Sequence, residues 1–157
     1  MIHPSAEVQT PNIGPETDVW QHTVILSGAV VGNQCNINAH CFVENDVVIG
    51  DRVTLKCGVY LWDGLRVEND VFIGPNATFT NDKYPRSRQH LSVYPRTVLG
   101  EGCSIGAGAV ILCGLSIGRK AMIGAGSVVT HNVPEGELWA GNPARFVRKL
   151  QEDDKIS

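Results

Sequence analysis

Val43-Glu44-Asn45-Asp46-Val47-Val48-Ile49-Gly50 and, 24 residues on, Val67-Glu68-Asn69-Asp70-Val71-Phe72-Ile73-Gly74 are near-duplicates, and their shared unit decides the fold. In each, an aliphatic residue returns after six positions, Val43 to Ile49 and Val67 to Ile73, and a second apolar residue stands four after the first, Val47 and Val71. Outward from this unit the period holds without a gap from Ile13 through Val19, Ile25, Val31 and Ile37 to Phe79, twelve positions in a row. It resumes at Leu99 and runs through Ile105, Ile111, Ile117, Ile123 and Val129. The second column is mostly small or β-branched: Thr17, Thr23, Ala29, Cys35 and Cys41 early in the chain, Cys103, Ala109, Ala121 and Ser127 late.

A period of six with one large and one small inward residue suits short flat strands, each hexad forming one side of a triangular prism. Eighteen hexads make six coils, a stack roughly 29 Å tall at the ~4.8 Å spacing of neighbouring strands. Gly14, Gly32 and Gly50, eighteen apart, mark equivalent positions on successive coils. The Asn45-Asp46 and Asn69-Asp70 pairs read as corner residues, since both types tolerate left-handed backbone. Ile2 and Val8 keep the spacing of six but fall one residue out of phase with Ile13, so the start of the chain reads as a cap.

With 157 residues, 43% of them apolar, the chain is the size of one domain, residues 1–157. Its net charge of −3 and lack of a long basic run exclude the electrostatic footprint of a nucleic-acid binder and argue against anionic membranes. Met1-Ile2-His3-Pro4-Ser5 has neither the basic nor the apolar part of a leader, and no run of 18 apolar residues occurs, so a soluble cytoplasmic protein is expected. Five cysteines with no Cys-x-x-Cys pair make neither a disulfide framework nor a zinc signature. Cys35, Cys41 and Cys103 fall in the inward column and read as core, whereas Cys57 and Cys113 lie nearer corners.

The ladder is interrupted from Thr80 to Val98, an external loop of about residues 80–96; Val93 is in phase with Leu99, and the excursion is expected to stop near Pro95. Loops of this length in a compact domain are often functional. Lys83, Arg86, Arg88 and Arg96 suit phosphate, and Tyr84 and Tyr94 suit a base or sugar ring. Counting coils stacks Asn45, Asp63 and Asn81 in one column, with Glu44, Trp62 and Thr80 beside it. Trp62 and Asp63 thus lie one coil from the loop's root, either lining a pocket or serving as ordinary corner residues. His22 and His40, eighteen apart, should stack, which leaves surface packing, a subunit interface or a metal open. Asn132 to Gly136 ends the ladder, and Phe146 to Asp154 reads as a short C-terminal helix packing through Phe146, Val147 and Leu150, within a cap of about residues 134–157.

The hexad pattern resembles that of the left-handed parallel β-helix acyltransferases, and the left hand, an exception to the usual crossover rule, is what the resemblance implies. The fold expected is therefore all-β: a left-handed parallel β-helix of hexapeptide repeats with one long external loop and a short C-terminal helix. Asn38 to Gly74, Phe79-Thr80-Asn81-Asp82-Lys83-Tyr84-Pro85-Arg86-Ser87 and Gly141-Asn142-Pro143-Ala144-Arg145 resemble the sugar-nucleotide 3-N-acyltransferases of surface-polysaccharide synthesis. The resemblance implies a homotrimer with sites between adjacent prisms, acetyl-coenzyme A or another acyl-coenzyme A as co-substrate, and no metal. It implies Asn81 as the catalytic residue that holds the acceptor amine, and Ala107, Ala125, Gly126 and Arg145 at coenzyme A. Trp62, Asp63, Asp82, Tyr84 and Arg86 are the candidate substrate-binding residues.

An asparagine carbonyl orients an amine but cannot take its proton, and in relatives of this type the departing thiolate is thought able to do so. His90, the histidine of the loop, is the alternative base. The acceptor expected is the 3-amino group of a neutral 3-amino-3,6-dideoxyhexose on dTDP, because Asp82 beside Asn81 would repel a uronate. The competing readings are a UDP-3-amino-uronate, a different amine or a hydroxyl as acceptor, or a non-catalytic scaffold.

Overall fold

The aliphatic column is the core: Val19, Ile25, Ile37, Val43, Leu55, Leu61, Ile73, Ile105 and Ile111 are all 0% exposed. Their small partners, from Thr17 and Thr23 to Cys103, Ala109 and Ser127, are buried beside them, which is why large residues are scarce in that column. In the computed structural model, which describes residues 1–154, these positions line three faces of parallel strands.

The first face runs from Asp18–Val19 to Met122–Ile123 and continues into Glu137–Gly141 and Ala144–Lys149, eight strands in all. The second has seven, from Glu7–Val8 to Val128–Val129; the third has five, from Val30–Val31 to Ser116–Ile117, and is extended by Ile13 bridging to Val31 and Ile117 to Val133. Along most of the prism a strand pairs with the one eighteen residues on, as in Phe42 with Tyr60 and Val43 with Leu61. This is the expected left-handed parallel β-helix, with about seven turns instead of six. Each fully buried Ile or Leu contributes about 1.5–3 kcal/mol, whereas a solvent-screened ion pair such as Arg52–Asp70 contributes little. The apolar stack therefore dominates the stability.

The extra turn is the segment expected to be a cap. Ile2 pairs with Val19 and Val8 with Ile25, steps of 17 residues, whereas Ile13 pairs with Val31 at the usual 18. The out-of-phase start is a first coil shortened by one residue.

The corners explain two sequence features. A Cβ on Gly14 would lie 2.5 Å from the carbonyl carbon of Gly32 on the next coil, so backbone contact demands glycine there. Asp70 has a left-handed φ of 61°, as expected of a corner residue.

The expected C-terminal helix is not formed. Ala144–Lys149 is a strand antiparallel to Glu137–Gly141, with Ala140 opposite Arg145 and Trp139 opposite Phe146. The physical reason is that Glu137–Gly141 stacks in parallel on Met122–Ile123 and leaves a row of backbone groups that a returning strand satisfies and a helix would not. Phe146 and Val147 are half-exposed and do not form the packing side; Ala144 is the buried residue of that strand. Residues 155–157 of the expected cap lie outside the described residues.

Candidate active site

The loop leaves the prism at the corner between the second and third faces. Val67 pairs with Ile49 at a step of 18 below and with Leu99 at a step of 32 above, so the loop adds 14 residues to one coil. It closes where expected: Pro95 packs on Gly64, and Thr97 N–H donates to the Gly64 carbonyl at 3.2 Å. Val93, although in phase, is 81% exposed and belongs to the loop, not the core.

At the loop's root the counted column is present in space. Asn81 Nδ2 donates to the Asp63 carbonyl at 3.4 Å. Asp63 N–H donates to Glu44 Oε2 at 2.6 Å, and Asp46 N–H donates to Asp63 Oδ1 at 2.7 Å. Thr80 Oγ1 accepts the Cys113 N–H at 3.1 Å and ties the same corner to the coil above. Asn81 Oδ1 has no hydrogen-bond partner among the described residues, so it is left to accept. Glu44 is half-buried; burial pushes its carboxyl above the ordinary value, the charge of Asp63 adds to the rise and the Asp63 N–H opposes it.

Trp62 stands in an aromatic cluster that the reading of the sequence missed. Its ring lies 5.6 Å from Phe42 and 6.0 Å from Tyr60, and the three rings wall a cavity of about 330 Å³ that also meets His22 and His40. The shared signal was available: Phe42 and Tyr60 are eighteen apart, as are Glu44 and Trp62. The two histidine rings stack as expected, 5.1 Å apart with a 29° tilt. Among the described residues no three His, Cys, Asp or Glu side chains converge as metal ligands.

Asp82 is half-buried next to Asn81 and its Oδ1 accepts the Tyr84 N–H at 2.9 Å, closing a turn. Tyr84 and Arg86 are not gathered onto the Asn81 column: Tyr84 is 75% exposed with the Lys83 ammonium 5.8 Å from its ring centre, and Arg86 donates to the Pro85 carbonyl. His90 is exposed, just beyond the small turn bridging Arg86 to Gln89.

The residues expected at coenzyme A lie elsewhere, at the corner between the first and second faces. Ala107 and Ala125 are exposed, and Gly126 N–H donates to the Ala107 carbonyl at 2.9 Å. Gly126 has φ +68° and a Cβ there would meet nothing within 4 Å, so the backbone is open to close approach. Beside it a groove of about 400 Å³ is lined by Phe72, Ser104, Gly106, Met122, Gly124 and Ala125. Arg145 is exposed on the terminal hairpin, opposite Ala140, whose Cβ abuts Gly124. Small residues, open backbone and a nearby cation fit a pantetheine arm and its phosphates. Within one chain this corner and the Asn81 corner are separated by the width of the second face.

Residues 95–131 match the family model "Bacterial transferase hexapeptide (six repeats)". The chain is 51% identical over 145 residues, 92% of its length and 76% of the relative's, to the dTDP-3-amino-3,6-dideoxy-α-D-galactopyranose 3-N-acetyltransferase of Aneurinibacillus thermoaerophilus. It is 36% identical over 133 residues to the galactoside O-acetyltransferase of Lactococcus lactis, covering 75% of this chain and 64% of that one. In fold it is similar to a mutant of AntD, an N-acyltransferase from Bacillus cereus in complex with dTDP and coenzyme A, with a TM-score of 0.70 at 16% identity over 97% of this chain and 81% of that chain. The chain belongs to the hexapeptide-repeat sugar-nucleotide 3-N-acyltransferases.

Proposed function

We propose that this protein transfers an acetyl group from acetyl-coenzyme A to the 3-amino group of a dTDP-linked 3-amino-3,6-dideoxyhexose. The observation that carries the reading is the 51% identity, spread over 92% of the chain, to an enzyme named for that reaction. The geometry at Asn81 supports it. An amide held by its NH₂ end to the Asp63 carbonyl keeps its oxygen to accept from an amine, and so aims the nitrogen lone pair at an acyl carbon.

Acetyl-coenzyme A, when bound, supplies the activated acyl group and a sulfur leaving group able to carry off the amine's proton. The chain's own task is positioning: Asn81 for the amine, a backbone N–H for the developing oxyanion, and Ala107, Ala125, Gly126 and Arg145 for the coenzyme. The half-buried carboxylates Glu44 and Asp82 beside this corner favour a neutral sugar over a uronate. Trp62, with Asp63, lines the sugar side, and Tyr84 and Arg86 on the loop are placed to meet the nucleotide from outside their own prism.

The separation of the two corners within one chain supports a homotrimer in which the loop of one copy reaches the coenzyme groove of the next. A cytoplasmic location fits a nucleotide-linked substrate and acetyl-coenzyme A, and no helix of the described residues is long and apolar enough to cross a membrane. Assay of a panel of dTDP- and UDP-linked 3-aminosugars with acetyl-coenzyme A tests the reading: turnover should favour the dTDP-3-amino-3,6-dideoxyhexose, and a clear preference for a UDP-3-amino-uronate would overturn it.

A further inference from the structure

We propose that Glu44 is a positioning residue: by accepting the Asp63 backbone N–H, its carboxylate sets the Trp62–Asp63 turn from which the Asn81 amide hangs, and so aims the group that receives the acceptor amine. The proposal rests on the reading of Asn81 given above. Its basis is a chain of contacts across three coils. Glu44 holds the N–H of Asp63 at 2.6 Å, and Asn81 holds the carbonyl of the same Asp63 at 3.4 Å, so both ends of one residue's backbone are fixed by side chains from the coils below and above. Asp63 Oδ1 takes the Asp46 N–H at 2.7 Å, and Arg66 clamps Asp46 from the third face through its carbonyl at 2.7 Å and its carboxylate at 2.5 Å.

The choice of a carboxylate is what needs explaining. A backbone N–H is satisfied by a neutral oxygen, as Gly28 N–H is by Asn45 Oδ1 at 3.0 Å at the same corner. Glu44 is instead an ionisable group, half-buried, next to a second carboxylate, and among the described residues no cation pairs with it. Such an arrangement disfavours the charged form; Glu68, the matching residue of the repeated unit, holds the Glu101 N–H in the same way at 2.8 Å, and what distinguishes Glu44 is that the residue it holds also carries the Asn81 amide. A charge-assisted bond is shorter and about twice as strong as a neutral one, which holds the turn more stiffly than the Asn45 arrangement does. Tolerances of a few tenths of an ångström at a positioned amine are where such stiffness acts.

The experiment is a double-mutant cycle. Glu44→Leu should lower kcat for the aminosugar at least tenfold with KM for acetyl-coenzyme A within twofold, and Glu44→Gln, which keeps an acceptor oxygen but not its charge, should recover part of the loss and not all of it. In an Asn81→Ala background Glu44→Leu should cost little more, because its effect passes through Asn81. Full kcat in Glu44→Leu, or a loss that adds undiminished to that of Asn81→Ala, would overturn the proposal. The cycle is run with whichever amine the wild-type protein acetylates best, so a different acceptor would refute the assigned sugar and leave this test standing. An activity-independent measure uses Trp20→Phe/Trp139→Phe protein, in which Trp62 is the remaining indole. Glu44→Leu should shift its emission and raise its quenching by acrylamide, and an unchanged spectrum and quenching constant would also overturn the proposal.

Discussion

Asn81 Nδ2 donates to the Asp63 carbonyl at 3.4 Å, so the amide at the loop's root is anchored through its nitrogen and free at its oxygen. Asn81→Ala removes the acceptor and should lower kcat/KM for the aminosugar tenfold or more. Asn81→Asp is the sharper variant: a carboxylate cannot donate to the Asp63 carbonyl and sets its charge against that oxygen, so it should be at least as damaging although it adds a base. Steady-state kinetics of the two variants check this, with His90→Gln expected to keep full activity.

Two glycines on the coenzyme corner should respond in opposite ways. A Cβ at Gly106 would lie 2.5 Å from the Ala125 nitrogen, so Gly106→Ala should lower the melting temperature sharply. At Gly126 a Cβ meets nothing, and the strain of its positive φ costs about 1–2 kcal/mol. Gly126→Ala should therefore fold yet bind coenzyme A weakly by calorimetry; wild-type affinity would remove Gly126 from the coenzyme site.

Thiol chemistry should follow the hexad register. Burial pushes the Cys103 thiol up to about 12 and Cys41 to about 11, and Cys35 is raised for the same reason. Alkylation of native protein at about pH 8 should label the exposed Cys57 first and the half-buried Cys113 more slowly. The three buried thiols should react only after denaturation, as peptide mapping would show.

Asp70 is held below its ordinary value of 3.8, chiefly by its hydrogen bonds with Arg52, and lowered folded-state ionisation means that it stabilises the protein above that value. The contribution is lost as the pH falls below 3.8 and the folded carboxyl is protonated. Asp70→Asn should melt lower than wild type near neutral pH, and the gap between the two should narrow in acid; a gap independent of pH would contradict the assignment.

The prism is legible in the sequence because each hexad meets the same surroundings, so the inward positions repeat the same chemistry; Cys35, Cys41 and Cys103 fall in the core on that basis alone. The Asn45–Asp63–Asn81 column follows from counting coils, but its hydrogen bonds do not, since a spacing of eighteen says which residues are neighbours and not which atoms meet. The terminal hairpin reads wrongly as a helix because Phe146, Val147 and Leu150 have helical spacing, whereas what decides their conformation is the edge of Glu137–Gly141, fixed by pairing with Met122–Ile123. The shortened first coil escapes the hexad count because one deleted residue between Val8 and Ile13 breaks the phase without breaking the stack.

That hairpin has a consequence for solubility. A parallel stack ends in an open strand, which is a template for another chain to add to. Ala144–Lys149 covers that strand on the first face running the opposite way, so its outer edge is antiparallel to the stack that a further coil would continue, and it carries Arg145 and Lys149 exposed. A chain cut after Gly141 bares the parallel edge of Glu137–Gly141 on that face and should therefore self-associate in light scattering.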